Sequence, residues 1–149
     1  TAWVIYLSGG IIQHPNKTKS IPSSAMTNDS VSSAYVNGNW TTGGVGDQIW
    51  CPVILDAGER IKAWRVMVAD GATATLTAQL VSRANSTGGI TTVGGSDASD
   101  NSTSDQVLTI TGLTTTVAAG TSYHVRIAQS GAGTATIAWV EIDYDRVTS

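Results

Sequence analysis

From Ala72 to Leu80 apolar and polar side chains alternate without a break: Ala72, Ala74, Leu76, Ala78 and Leu80 against Thr73, Thr75, Thr77 and Gln79. A period of two places one set on each side of an extended chain, so the segment predicts a strand with one buried face. The stretch Arg60–Val68 predicts a second strand, and its apolar phase slips between Ile61 and Trp64, the mark of a bulge. Asp70-Gly71 lies between the two and predicts a hairpin, because a tight turn needs residues that tolerate positive φ. Toward the C-terminus, Tyr123, Val125 and Ile127 form the inward set of a strand that starts at Ser122. Ser130-Gly131-Ala132-Gly133 then turns the chain into a long strand from Thr134 to Tyr144. Strict alternation there sets Ala138, Val140, Ile142 and Tyr144 on one face and Ile137, Trp139, Glu141 and Asp143 on the other.

Shorter strands are predicted at Trp3–Leu7, Ser33–Val36 and Asn39–Thr42 (about the turn Asn37-Gly38), Gln48–Leu55, Ile90–Val93 and Gln106–Thr111. No run of ten residues carries a helical period. The pattern predicts one all-β domain over residues 1–149, a β-sandwich or jelly roll of eight to ten mostly antiparallel strands. Two connections are long. Residues 8–30, with Pro15 and Pro22, read as an extended N-terminal arm, and residues 94–105, rich in Gly, Ser and Asp, as an exposed loop.

Composition agrees with strands. Charged residues are 13% of the 149, about half the usual share, and threonine and serine fill the polar positions. Threonine's branched Cβ suits a pleated sheet better than a helix. The net charge of −3 is spread along the chain, so the basic stripe that nucleic-acid binding requires is missing. No apolar run is long enough to span a membrane as a helix. The apolar opening Thr1–Leu7 lacks the basic flank of a signal peptide, and an opening threonine fits removal of an initiator methionine. Cys51, the one cysteine, sits in the apolar run Ile49–Val53, where a buried and inert thiol is expected.

Catalytic constellations fare poorly. His124 alternates with Tyr123 and Val125 and points outward, and no Gly-x-Ser-x-Gly elbow is present. Glu141 and Asp143 share a strand face beside Trp139 and could line a sugar groove, but one strand seldom supplies both acid and base of a glycosidase. Asp97, Asp100, Asn101 and Asp105 offer oxygen ligands without the register of a calcium loop, and no His or Cys pair has zinc spacing. Asn16, Asn28, Asn39, Asn85 and Asn101 each open an Asn-x-Ser/Thr triplet, attributable to turn-rich composition. The expectation is a non-enzyme without metal or cofactor. Trp50 and Trp64, in apolar strands, are expected in the core. Trp40 and Trp139, with Tyr144, are the candidates for a surface contact or a stacking platform for sugar.

Leu113 through Ile127 contains a leucine followed by Gly120-Thr121-Ser122-Tyr123-His124-Val125-Arg126-Ile127. It resembles the tyrosine corner of fibronectin type III and related sandwiches. Over its whole length the chain is similar to small β-sandwich accessory proteins of tailed bacteriophages: capsid decoration or cement proteins, head-fibre knobs and tail-fibre tips. The resemblance lies in the Thr/Ala/Gly-rich strands, the arm segment Ile21-Pro22-Ser23-Ser24-Ala25 and the block Leu55–Ile61 leading into an Arg/Val strand. It implies a virion structural protein, made in the host cytoplasm, that decorates a capsid through protein contacts. Ile21 and Pro22 of the arm would be contact residues, the major capsid protein or another virion protein the partner, and a homotrimer the favoured state. The alternative is a receptor- or carbohydrate-binding sandwich that takes a host-surface glycan.

Overall fold

Two antiparallel sheets pack face to face in the computed structural model, which describes residues 12–13, 16–29 and 32–148, the first two and last two by backbone alone. The strand expected at Trp3–Leu7 and the start of the arm lie outside the described residues.

The first sheet is built on a central pair, β7 (Glu59–Ala69) and β13 (Ala135–Thr148). The free side of β7 is covered by β10 (Asp105–Ile110) and β11 (Thr115–Thr116). The other side of β13 is shared, in succession along its length, by β5 (Asn39–Thr42), β2 (Lys17–Pro22) and β1 (Ile12–Gln13), and β4 (Ala34–Val36) pairs with β5. The second sheet runs β3 (Thr27–Asn28), β6 (Gln48–Val53), β12 (Thr121–Ser130), β8 (Thr75–Ala84), β9 (Ile90–Ala98). A 3-10 turn at Ser23–Ala25 joins β2 to β3, crossing between the sheets. The β-sandwich is the architecture the alternation predicts, with extra short strands along β7 and β13.

The core lies between the sheets. Ile61, Trp64, Val66, Val68, Ile137, Val140 and Ile142 face Ile49, Cys51, Leu76, Ala78, Leu80, Val125 and Ile127, all within 1% of full burial. Each large aliphatic side chain buried this way contributes roughly 1.5–3 kcal/mol, which makes the inward phase of every strand hard to slip. The phase slip in β7 is a bulge: between Asp143/Ala63 and Tyr144/Ile61 the ladder leaves Lys62 unpaired, so Ile61 and Trp64 both reach the core. Asn37 (φ 51°) and Gly38 (φ 84°) make the two-residue hairpin turn expected between β4 and β5. Tyr123, 7% exposed, donates its Oη hydrogen to Thr116 O and accepts from Ala118 N, both at 3.4 Å, so the corner resemblance has the corner's geometry.

Four expectations change. Asp70-Gly71 is no hairpin, because β7 and β8 belong to different sheets. The five residues from Asp70 to Ala74 cross the roughly 10 Å gap between layers, and Gly71 is required for clearance: a Cβ there would lie 2.7 Å from Thr134 O. The β12–β13 connection crosses the same gap, and Thr73 Oγ1 donates to Ala132 O at 2.6 Å to tie the two arches together. The arm is no free extension over its described length, since Lys17–Pro22 pairs with Tyr144–Trp139 as strand β2. The loop expected at 94–105 is shorter. Residues 94–98 continue β9 across a register shift opposite Gln79/Leu80, where Gly94 and Gly95 take positive φ. Finally, Ile137 does not share a face with Trp139. Ile137 and Val140 are both fully buried, three positions apart, and β13 meets this with a bulge at Ala138.

Candidate functional site

A recess opens in the outer face of the first sheet at the bulge at Ala138. It falls where the partner of β13 changes from β5 to β2, so the ladder opens there and the outward phase restarts at Trp139. The groove encloses about 460 Å³ and is lined by Ser20, Pro22, Tyr35, Ala138, Trp139 and Glu141, with Ile21, Ser23 and Gly38 at its base and rim. Tyr35, 47% exposed, stands on β4 with its ring 5.7 Å from that of Trp40. Ser23 Oγ donates to Gly38 O, which closes the rim between the hairpin turn and the 3-10 turn.

Register sets the surroundings of Trp139. It lies opposite Pro22 on one side and Met67 on the other, and Met67 pairs in turn with Val107 of β10, giving one apolar row across the sheet's outer face. The next row is polar: Ser20, Glu141, Arg65, Thr109. Arg65 clasps both carboxylates, donating from Nε to Glu141 at 3.2 Å and in bidentate fashion to Asp143 at 2.7 and 2.8 Å. Thr18 Oγ1 adds a hydrogen bond to Asp143 at 2.7 Å, and Ser20 Oγ one to Glu141 at 3.4 Å. The Arg65 hydrogen bond is the main reason the Asp143 carboxyl sits below its ordinary range, against a smaller opposing effect of burial. A general acid needs the opposite shift, so Asp143 is a fixed anion. Arg65 thus holds Glu141 and Asp143 as oriented hydrogen-bond acceptors on the outer face of the sheet.

Of the other sequence candidates, Pro22 is exposed and lies opposite Trp139. Ile21 is 6% exposed and belongs to the core, because its partner Val140 is an inward residue. Trp40 is half-buried against the core, and its indole N–H donates to Ser23 O at 2.9 Å, so it supports the groove wall from behind. Tyr144 lies five residues along β13 from Trp139, about 16 Å at strand rise, opposite Lys17 and Ile61 and away from the groove. Of the loop carboxylates, Asp97 accepts from Ala98 N and Thr109 N, and Asp100 from Ser102 N. Among the described residues no three His, Cys, Asp or Glu side chains converge as a metal set.

Sequence reasoning missed Trp50. In β6 the inward set is Ile49, Cys51 and Val53, so Trp50 faces out on the second sheet. His124 stands edge-on to it at 5.9 Å, outward as expected, and the Arg126 guanidinium lies 5.6 Å from the indole centroid. The run Ile49–Val53 is apolar at every position and cannot be phased by hydropathy. Only pairing with β12, where His124 and Arg126 mark the outer side, reveals the face of Trp50.

No protein-family model matches the chain, and no curated protein matches it in sequence. Its fold is shared with solved structures. One is a carbohydrate-binding module, CBM36, in complex with calcium and xylotriose: 14% identity, TM-score 0.58, covering 83% of this chain and 98% of that one. A CBM36-1 domain of a multidomain xylanase from the hindgut metagenome of Trinervitermes trinervoides matches at 14% identity and TM-score 0.56, over 85% of this chain and 96% of that one. The xylan-binding module CBM15 matches at 14% identity and TM-score 0.57, over 87% and 97%. At such identities the likeness is one of fold.

Proposed function

We propose that this chain is a non-catalytic carbohydrate-binding β-sandwich that holds a glycan in the groove beside Trp139. The observation that carries the reading is the groove itself: an outward indole next to acceptors already held in place. A sugar ring offers an apolar face of C–H groups and a rim of hydroxyls. Trp139 and Tyr35 supply aromatic surface for the first, and Glu141 and Ser20 supply hydrogen-bond partners for the second. Because Arg65 fixes Glu141 beforehand, little side-chain entropy is lost when a hydroxyl binds. The fold's recurrence in structures named as carbohydrate-binding modules supports the same reading.

Decoration of a virion draws less support. Ile21, one of its expected contacts, is a core residue, and its arm is a sheet strand from Lys17 to Pro22. The test is retention on a panel of neutral polysaccharides, with xylan, mixed-linkage β-glucan and laminarin as probes. Trp139→Ala should weaken binding by about 10- to 30-fold, the loss of one stacking anchor worth roughly 1.5–2 kcal/mol. Its melting temperature should stay within about 2 °C of the parent, as for a surface substitution. Absence of retention across the panel, or an unchanged affinity in Trp139→Ala, overturns the assignment.

A further inference from the structure

The outer face of the second sheet carries another aromatic surface, and its charge is opposite to that of the Trp139 face. Trp50 pairs across β6–β12 with Arg126, His124 lies between Pro52 and Val81, and Arg83 follows one row on, opposite Ser122 and Ile90. Together with Thr27 and Asp29, the side chains of Trp50, His124, Arg83 and Ile90 line a groove of about 320 Å³. On the first face the arginine is neutralised by two carboxylates. Here the balance reverses. Among the described residues the ion pairs engage Arg60, Arg65 and Arg146, and neither Arg83 nor Arg126 takes part in one. Asp29, the one carboxylate on the wall, accepts from the Trp50 indole N–H at 3.4 Å and keeps its charge, so Arg83 and Arg126 together still leave the face positive. Arg126 is held over the indole by the ring and, with the Gln79 amide turned to face it, by the Gln79 oxygen. Arg83, exposed at the groove's end, is the group left to meet a ligand.

We infer that this groove is a second saccharide site, specific for an acidic sugar, with the ring against Trp50 and His124 and the anionic group on the Arg83 guanidinium. The planar fork of arginine matches a carboxylate or a sulfate, two charge-assisted hydrogen bonds at once. The sugar part of the assignment rests on the carbohydrate-binding reading above, while the charge is independent of it. The protein's net charge of −3 works against adsorption of polyanions in general, so retention of one requires a local site.

The experiment uses the whole chain and four probes: polygalacturonate for the carboxylate, dextran sulfate for the sulfate, neutral xylan, and a single-stranded oligothymidylate as a non-sugar polyanion. The parent protein should retain one of the two acidic polysaccharides and retain it less as salt rises. Arg83→Gln, a change at an exposed position, should weaken that retention at least about tenfold, and Trp50→Ala should do the same. Trp139→Ala should leave it unchanged. Which acidic polymer binds decides between carboxylate and sulfate. Failure of both polymers, parent-like retention by Arg83→Gln, or equal retention of the oligothymidylate would overturn the inference. Neutral xylan, run with the rest of the neutral panel, separates the two readings: no retention on any neutral polymer with Arg83-dependent retention of the acidic one removes the Trp139 groove alone, and the converse removes this site alone.

Discussion

Replacing Asp70 by asparagine changes one atom of a side chain on which an entire loop is hung. Asp70, 5% exposed, accepts hydrogen bonds from Asn101 N at 2.5 Å, Thr103 N at 3.2 Å and Gln106 Nε2 at 3.0 Å. Asn101 and Thr103 both sit at φ 60°, a left-handed conformation that costs a threonine in particular. Burial alone would raise the Asp70 carboxyl. The hydrogen bonds from Ser99, Asn101, Gln106 and Thr103 together outweigh it and hold the group below its ordinary value. In Asp70→Asn one oxygen becomes an NH2 that faces donors, so one or two charge-assisted bonds of roughly 1.5–3 kcal/mol are lost. A destabilisation of about 3 kcal/mol follows, which at about 3 °C per kcal/mol for a chain of this length lowers Tm by about 10 °C at pH 7. The sign of the pH dependence is set by the depressed pKa: the stabilisation is full above the ordinary value of 3.8 and is lost as pH falls through the folded-state value. Calorimetric melts of both proteins from pH 7 to pH 2 test this. A shift under about 2 °C at pH 7 would refute the role of the carboxylate, and a gap that persists unchanged at pH 2 would show that its charge is not the cause.

Two further outcomes follow from buried groups. Arg60 grips Asp145 with bonds of 2.8 and 2.6 Å, and Asp145 is 8% exposed, so Arg60→Gln should cost about 2 kcal/mol in urea unfolding at pH 7. Because the Arg60 hydrogen bond lowers the Asp145 pKa, that cost should shrink as pH falls below the carboxylate range, and a constant cost would argue against the pairing. The Cys51 thiol is fully buried and pushed up to about 12 by burial, so a thiol-disulfide reagent at pH 8 should label it only after unfolding. Rapid labelling of the native protein would contradict its place in the core.

The alternation of Leu76, Ala78 and Leu80 or of Tyr123, Val125 and Ile127 determined, without help, which side of each strand is buried. So did the slip between Ile61 and Trp64, and the Asn37-Gly38 turn. These are local matters: a two-residue period and a turn's φ angles depend on near neighbours alone. Trp139, beside Glu141 and Asp143, was legible as a surface position for the same reason, whereas the opposite fates of Ile21 and Pro22 were set by pairing with β13. What tertiary structure alone decided was partnership. Whether Asp70-Gly71 closes a hairpin or bridges two layers depends on which strands win the edges of β7 and β8; β9 follows β8 directly, but β10, β12 and β13 lie far off in sequence. The bulge at Ala138 exists because Ile137 and Val140 are both claimed by the opposing sheet, and the groove follows from it. Trp50, in a run apolar on both sides, has no phase of its own until β12 is laid beside it. Long-range pairing, settled only when the sheets meet, made a surface of one tryptophan and a wall support of another, Trp40.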